Sequence, residues 1–422
     1  MTNEAPRIEV PREHFTLGCG ATLLVHQRPG APVTAVRAHL RGGQRLDPPG
    51  KDGVASLTGS FADLGTSKLS DEEIAALLEP EGGGVQGDAL GLSGAVAGPA
   101  WRILLDVMGD LLADASYPDA RVERQLSRLK TRLAVEEDEP RVQGGLLFKR
   151  LVYGDHHFMG RSSYGTVESV ERIDADALRR HREAHWCGRR LVVAVAGDVV
   201  PEEVREHAER AFSVLPVGTA YEPEPSSFPP IEPRRAAFER DRQQVHVHLG
   251  HLGIARANPD YPALAVMDHV LGTGPGFTNR ITRVLRDELG LAYSVHADIH
   301  TTAGLLPGMF RAYIGTSPEN VQTAIDGFVS EMRRIQEEPV PDEELSVAKS
   351  YLVGSFAMGF ERAVQRAQYM VRAELHSFPD DQLERLPAQF AAVTAEDVQR
   401  VAREHLHPDG CSIAVAGPSI DG

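Results

Sequence analysis

The stretch IDADALRRHREAHWCGRRLVVAVAG, Ile173 to Gly197, returns in altered form as VTAEDVQRVAREHLHPDGCSIAVAG, Val393 to Gly417. The offset is 220 residues at both ends, with no gap between them. Each copy reads as an amphipathic helix, then an apolar β-rich run that closes on Gly. Asp174 and Thr394 stand where a helix N-cap belongs, and Asp397 completes a capping-box spacing in the second copy. Self-similarity on this scale implies a duplicated domain.

Outward from the repeat, PVGTAYEPEPSSFPPIEP, Pro216 to Pro233, is dense in proline and has no sustained period, the composition of an extended linker. The expected organisation is an N-terminal domain over 1–215, a linker over 216–233 and a C-terminal domain over 234–422. Helical spacing marks DEEIAALLEP, AWRILLDVMGDLLAD and DARVERQLSRLKTRLAVEED in the first half. In the second it marks YPALAVMDHVLG, NRITRVLRDELG, PENVQTAIDGFVSEMRRIQEE and PDEELSVAKSYLVGSF. The strands ATLLVHQ, VTAVRAHL, VHVHLGHL and GMFRAYIG are short and rich in β-branched residues. Helices and strands interleave without one-to-one alternation, so the fold class expected is α+β, two layers per domain.

Composition narrows the function. The chain has 422 residues, 42% of them hydrophobic, enough for two cores. Against 44 Lys and Arg stand 60 Asp and Glu, a formal charge of −16, which argues against a protein that tracks nucleic-acid phosphates. No run of 18 apolar residues suggests a membrane span, and the N-terminus lacks the pattern of a signal peptide. Cys19, Cys187 and Cys411 are too scattered for a disulfide framework. A cytoplasmic protein is expected.

KDGVASLTGSFADLGT, Lys51 to Thr66, places small and apolar residues at helical spacing between a Gly and a Gly-Thr close. With HLRGG before it, YGDHHFMGRSSYGTVESVERI and LVVAVAGDVVPEEV after it, and FTNRITRVLRDELGLAYSV in the second half, the chain resembles the pitrilysin/insulinase-type zinc peptidases over almost its whole length. It is most similar to their mitochondrial-processing-peptidase-like bacterial branch. The resemblance implies two homologous α/β-sandwich domains forming half of a clam-shell, and two such chains closing around a peptide chamber.

Active relatives carry H-x-x-E-H on the helix in question, with a distal carboxylate as third ligand. Two imidazoles one turn apart hold the zinc, and the intervening Glu takes a proton from metal-bound water. Alignment on Gly53 and Gly65-Thr66 puts Ser56 and Ser60 at the histidine positions and Gly59 at the general base. The distal position, counted back from the EDEP turn, is Arg132; counting forward from Ser60 gives Glu136 or Glu137 instead. No catalytic metal is expected in this chain.

Zinc-less relatives often keep an Arg/Tyr pair in the second domain, and GFERAVQRAQYMV supplies Arg362 and Tyr369, seven residues apart. At 3.6 residues per turn that spacing puts both on one helical face. By resemblance the pair holds the substrate backbone and stabilises the oxyanion beside a partner's zinc. The other reading is a surface Arg with the Tyr packed beneath it; Arg366, on the neighbouring face, is a weaker candidate. The function expected is that of a non-catalytic, activity-supporting subunit of a heterodimeric zinc metallopeptidase. Its partners would be a homologous H-x-x-E-H subunit carrying the zinc and a peptide substrate, with no nucleic acid or membrane. The alternative is a zinc-less structural or peptide-binding homologue, as a homodimer or a scaffold within a complex, with no part in hydrolysis.

Three further clusters carry less. His246 and His248 share a strand face, and His156-His157 sit in a loop; neither has a further ligand at a compelling spacing, so they read as polar surface or chamber lining. LGTGPGFTNR, Leu271 to Arg280, lacks the Lys-Ser/Thr of a phosphate loop and reads as a turn before a helix. EPEGGGVQGDALGLSGAVAG reads as the strand pair after the degenerate zinc helix.

Overall fold

A computed structural model describes residues 8–274 and 279–419, so the middle of the Gly-rich run Leu271–Arg280 lies outside the described residues. In the first half, strands β1 (Glu13–Thr16), β2 (Thr22–Gln27), β3 (Val33–Leu40), β4 (Gly84–Asp88), β5 (Gly91–Ala97) and β6 (Leu191–Gly197) form one sheet in the order β1-β2-β6-β3-β5-β4. In the second, β7 (Arg234–Glu239), β8 (Val245–Leu252), β9 (Val295–Asp298), β10 (Met309–Thr316) and β11 (Ser412–Gly417) pair as β7-β11-β8-β10-β9.

The two orders are one topology. In each sheet an early strand pairs in parallel with the last strand of its half, β2 with β6 and β7 with β11, and the remaining pairings are antiparallel. β1 is the extra edge strand of the first sheet. The repeated segments supply equivalent central strands, LVVAVAG as β6 and SIAVAG as β11, and both are apolar because both of their faces are covered.

The helices of the first half are α1 (Val54–Ser60), α2 (Asp71–Leu78), α3 (Trp101–Asp114), α4 (Asp119–Glu137), α5 (Pro140–Tyr153), α6 (Val167–Val170), α7 (Ala175–His185) and α8 (Pro201–Ala211). Those of the second are α9 (Tyr261–Asp268), α10 (Val321–Glu337), α11 (Asp342–Phe356), α12 (Ala363–His376), α13 (Gln382–Ala392) and α14 (Ala395–His405). α7 and α14 are the repeated helices, and their caps form as the sequence requires. Asp174 accepts from the Ala177 N–H at 2.7 Å, and Thr394 and Asp397 make a reciprocal capping box. Two expected α-helices wind partly as π-helix, over His269–Thr273 and Thr282–Glu288. The wider turn still leaves Leu271, Ile281 and Leu285 fully buried.

Most helices pack on the outer face of their own sheet and build two large apolar cores, one per half. The inner faces are covered reciprocally. α5, from the first half, lies across β7, β11 and β8 of the second sheet, and α12, from the second half, lies across β3 and β6 of the first. Two smaller apolar clusters result. Phe148 and Val152 of α5 meet Met309 and Ala414, and Ala367 and Met370 of α12 meet Leu24, Ala35 and Ala194. Between α8 and β7 the chain forms neither helix nor strand. It is tied back to the first half by the Gly188 and Arg189 N–H groups, which donate to the Pro216 and Val217 carbonyls.

Candidate functional site

α1 begins where the backbone turns left-handed at Gly53, φ 101°, a conformation that favours glycine. The half-buried Asp47 carboxylate accepts from the N–H groups of Gly53 at 2.8 Å and Ala55 at 2.7 Å, occupying donors that a helix N-terminus leaves free. Burial outweighs those bonds and pushes Asp47 up to about 6.

The positions expected to correspond to the zinc motif are closed by packing. Ser56 is buried and donates to the Ser163 carbonyl at 2.5 Å. Gly59 presses on β4: a methyl group there would stand 1.8 Å from the Asp88 carbonyl oxygen, and one on Gly87 would stand 1.9 Å from the Gly59 oxygen. The Ser60 hydroxyl comes no nearer to the Gly87 carbonyl than 3.5 Å. Arg132 on α4 holds its guanidinium 4.9 Å from the centre of the Tyr164 ring and pairs loosely with Glu136 at 3.4 Å. Two hydroxyls, a glycine and a guanidinium do not make a zinc donor set. The space a catalytic Glu needs is filled by backbone.

Among the described residues, one group of three metal-ligating side chains converges, Asp260, Glu404 and His405. Asp260 is already held by Arg400 at 2.8 Å and by His405 at 2.8 Å, so a guanidinium stands where a cation would have to bind.

The Arg/Tyr pair departs from the expected geometry. α12 starts at Ala363, so Arg362 is its N-cap, extended at φ −89°, ψ 146°, and outside the helical period on which the one-face expectation rests. Its side chain is exposed. Tyr369 is 4% exposed, with its ring edge-on to Phe360 at 5.2 Å, because α12 turns this face onto the first sheet. Among the described residues its hydroxyl has no hydrogen-bond partner, and burial raises its pKa, with Arg12 and Arg372 close enough to oppose the shift. Arg366 is committed elsewhere, to the Glu9 carbonyl at 2.9 Å and the His26 ring at 3.1 Å.

Two cavities stand out. The larger, about 1120 Å³, lies under the linker, where Arg45 donates to the Glu224 carbonyl and His157 packs on Phe228 at 4.9 Å. The smaller, about 370 Å³, lies between α5 and the second sheet and takes in His248. His246, one of the pair singled out in sequence, bonds the Tyr313 hydroxyl at 3.0 Å. The alternation of histidines on β8 was the visible signal for the smaller cavity. The contribution of α5, a helix of the other half, was not visible.

Residues 172–352 match the family described as the Peptidase M16 inactive domain. Along 396 residues the chain is 28% identical to an uncharacterized zinc protease of Streptomyces coelicolor, covering 91% of this chain and 84% of that one. It is 25% identical over 366 residues to a non-peptidase homolog of Helicobacter pylori, covering 80% and 81%. The fold is shared with a peptidase M16 inactive domain from Pseudomonas fluorescens, at a TM-score of 0.89 and 22% identity over 97% of this chain and 99% of that one. The chain thus shares the duplicated fold of a peptidase M16 inactive-domain protein and matches that family's inactive domain over residues 172–352.

Proposed function

We propose that this chain is a zinc-less subunit that pairs with a homologous H-x-x-E-H-bearing subunit and supports peptide hydrolysis at the partner's zinc without hydrolysing peptides itself. The observation that carries the reading is the contact of Gly59 with the Asp88 carbonyl, since it leaves no volume for the general base on which the chemistry depends. A hydroxyl pair in place of two imidazoles removes the metal's ligands as well. The chain keeps the frame of the fold and gives up the chemistry.

In this reading Arg362, exposed at the start of α12, meets the substrate backbone, and Tyr369 fixes α12 on the first sheet while its unpartnered hydroxyl stands in reserve as a donor. The test is peptide turnover by the reconstituted pair carrying Arg362→Ala or Tyr369→Phe in this subunit. A fall of about tenfold or more with Arg362→Ala, with assembly intact by size-exclusion chromatography, supports the role. Unchanged turnover with both variants rejects it.

The burial of Tyr369 favours a second reading, a peptide-binding or structural homologue in which Tyr369 is a packing residue only. Tyr369→Phe separates the two. It leaves turnover untouched in the second reading and lowers it in the first.

A further inference from the structure

The cavity of about 370 Å³ between α5 and the second sheet has an unusual charge pattern. Arg141 and Lys149 of α5, Arg311 of β10, His248 of β8 and His296 of β9 line it, and no carboxylate does. The whole chain carries a formal charge of −16, so a recess furnished with basic groups alone runs against its surroundings. Arg141 lies over the Tyr313 ring, 4.9 Å from its centre, and among the described residues neither its guanidinium nor the Lys149 ammonium has an ion-pair or hydrogen-bond partner. The His248 ring faces the Arg141 backbone carbonyl, and its Nε2 atom is buried without a well-formed hydrogen bond. Arg311 alone is neutralised, by Asp298 at 3.1 Å. A further carboxylate, Glu139, acts on His246 and Tyr313.

Beside the cavity α5 crosses β8 closely at Gly144 and Gly145. A Cβ on Gly144 would stand 3.0 Å from the His248 ring, and one on Gly145 would stand 3.6 Å from it. The rest of the wall is apolar, with Phe148, Leu146, Val142 and Met309. Burial lowers the pKa of Lys149, with Arg311 adding to the effect, so the recess disfavours its own cation. An anion relieves that penalty, and a planar carboxylate suits a guanidinium placed over an aromatic ring. The volume falls in the range of small-molecule sites, which combine apolar walls with a few polar anchors.

We propose that this cavity binds the carboxylate of an acid with an apolar body, the head held by Lys149, Arg141 and His248 and the body by Phe148 and Met309. Two sources present that chemistry, the C-terminus of a peptide ending in an apolar residue and a free monocarboxylic acid. The peptide source rests on the peptide-binding reading above; the carboxylate chemistry does not.

The experiment is isothermal titration of the full chain with four probes. These are 4-phenylbutyrate, its neutral amide, and an acetylated tetrapeptide ending in Leu as the free acid and as the C-terminal amide. At least one acid is expected to bind, and its amide to bind roughly tenfold or more weakly, the scale of one hydrogen bond to a charged group. Lys149→Gln and Arg141→Gln, each checked by circular dichroism for an unchanged fold, are expected to weaken the acid by a similar factor and leave the amide unaffected. Binding of 4-phenylbutyrate alone assigns the free acid as the source, and binding of the peptide acid assigns the peptide terminus. Equal binding of acid and amide, no binding of either acid at roughly millimolar concentration, or unaltered binding by both variants overturns the proposal. Because the titrations use this chain alone, they are independent of turnover in the reconstituted pair.

Discussion

At the scale of single residues, the contact between Gly59 and Gly87 decides the most. Helix α1 and strand β4 touch through their backbones, and any side chain at position 59 must push one of them away. Gly59→Ala is expected to destabilise the protein by about 1–3 kcal/mol, the usual cost of overpacking, measured by urea denaturation. A change within about 0.5 kcal/mol would show that the contact is loose. The triple change Ser56→His, Gly59→Glu, Ser60→His is accordingly expected to yield no stoichiometric zinc, because it rebuilds the ligand list without the room. Tyr369 gives a second residue-scale test. Tyr369→Phe retains the ring against Phe360 and should leave stability nearly unchanged, whereas Tyr369→Ala empties a buried site and should cost about 3–5 kcal/mol, as for large aromatic-to-Ala changes.

At the scale of elements, histidines buried in strands and helices make the fold sensitive to acid. Burial lowers His39, His248 and His251 to about 4 and His181 to about 3, from an ordinary value of 6.5. His251 Nε2 accepts from the His407 N–H at 3.1 Å, which requires an unprotonated nitrogen there, whereas the Leu252 carbonyl, 2.9 Å from Nδ1, works the other way and is outweighed by burial. Between pH 6.5 and 4 the unfolded chain takes up protons that the folded chain refuses, so stability is full above pH 6.5 and falls as the pH drops. Each group contributes up to about 1.4 kcal/mol per pH unit. Asp47, raised to about 6 from 3.8, and Asp63, also raised by burial, pull the other way over part of that window, but the four histidines outnumber them. The melting temperature should therefore fall from pH 7 to pH 4.5, and His251→Gln should flatten the slope; a flat profile in the unaltered protein contradicts the assignment. The elements themselves were largely legible in the sequence. Apolar runs such as LVVAVAG and capped periodic helices such as α14 announce their structure locally. The start of α12 did not. Arg362 and Gln365 mimic a helix entry only in three dimensions, so a spacing counted along the sequence ran across a helix end and paired a capping residue with a core residue.

At the scale of the whole molecule, the exchange of α5 and α12 binds the halves together. The repeat at offset 220 disclosed the duplication, yet no local pattern shows that a helix will serve the other half's sheet, because its apolar face looks the same whichever sheet it covers. The consequence is testable. A fragment of residues 1–215 leaves Leu24, Ala35, Val192 and Ala194 of the first sheet without α12, and it should aggregate or bind hydrophobic dyes when expressed alone. Co-expression with residues 216–422 should restore a soluble, cooperatively melting complex; a soluble and cooperative 1–215 fragment would refute the exchange as a stabilising device. The reading of the molecule as a supporting subunit meets its decisive measurement in zinc content and peptidase activity. Both would be determined for this chain alone, for a homologous H-x-x-E-H-bearing chain alone and for their mixture. The expected result is zinc in the partner only and cleavage by the mixture only. Stoichiometric zinc in this chain, or full activity of the partner without it, would contradict that reading.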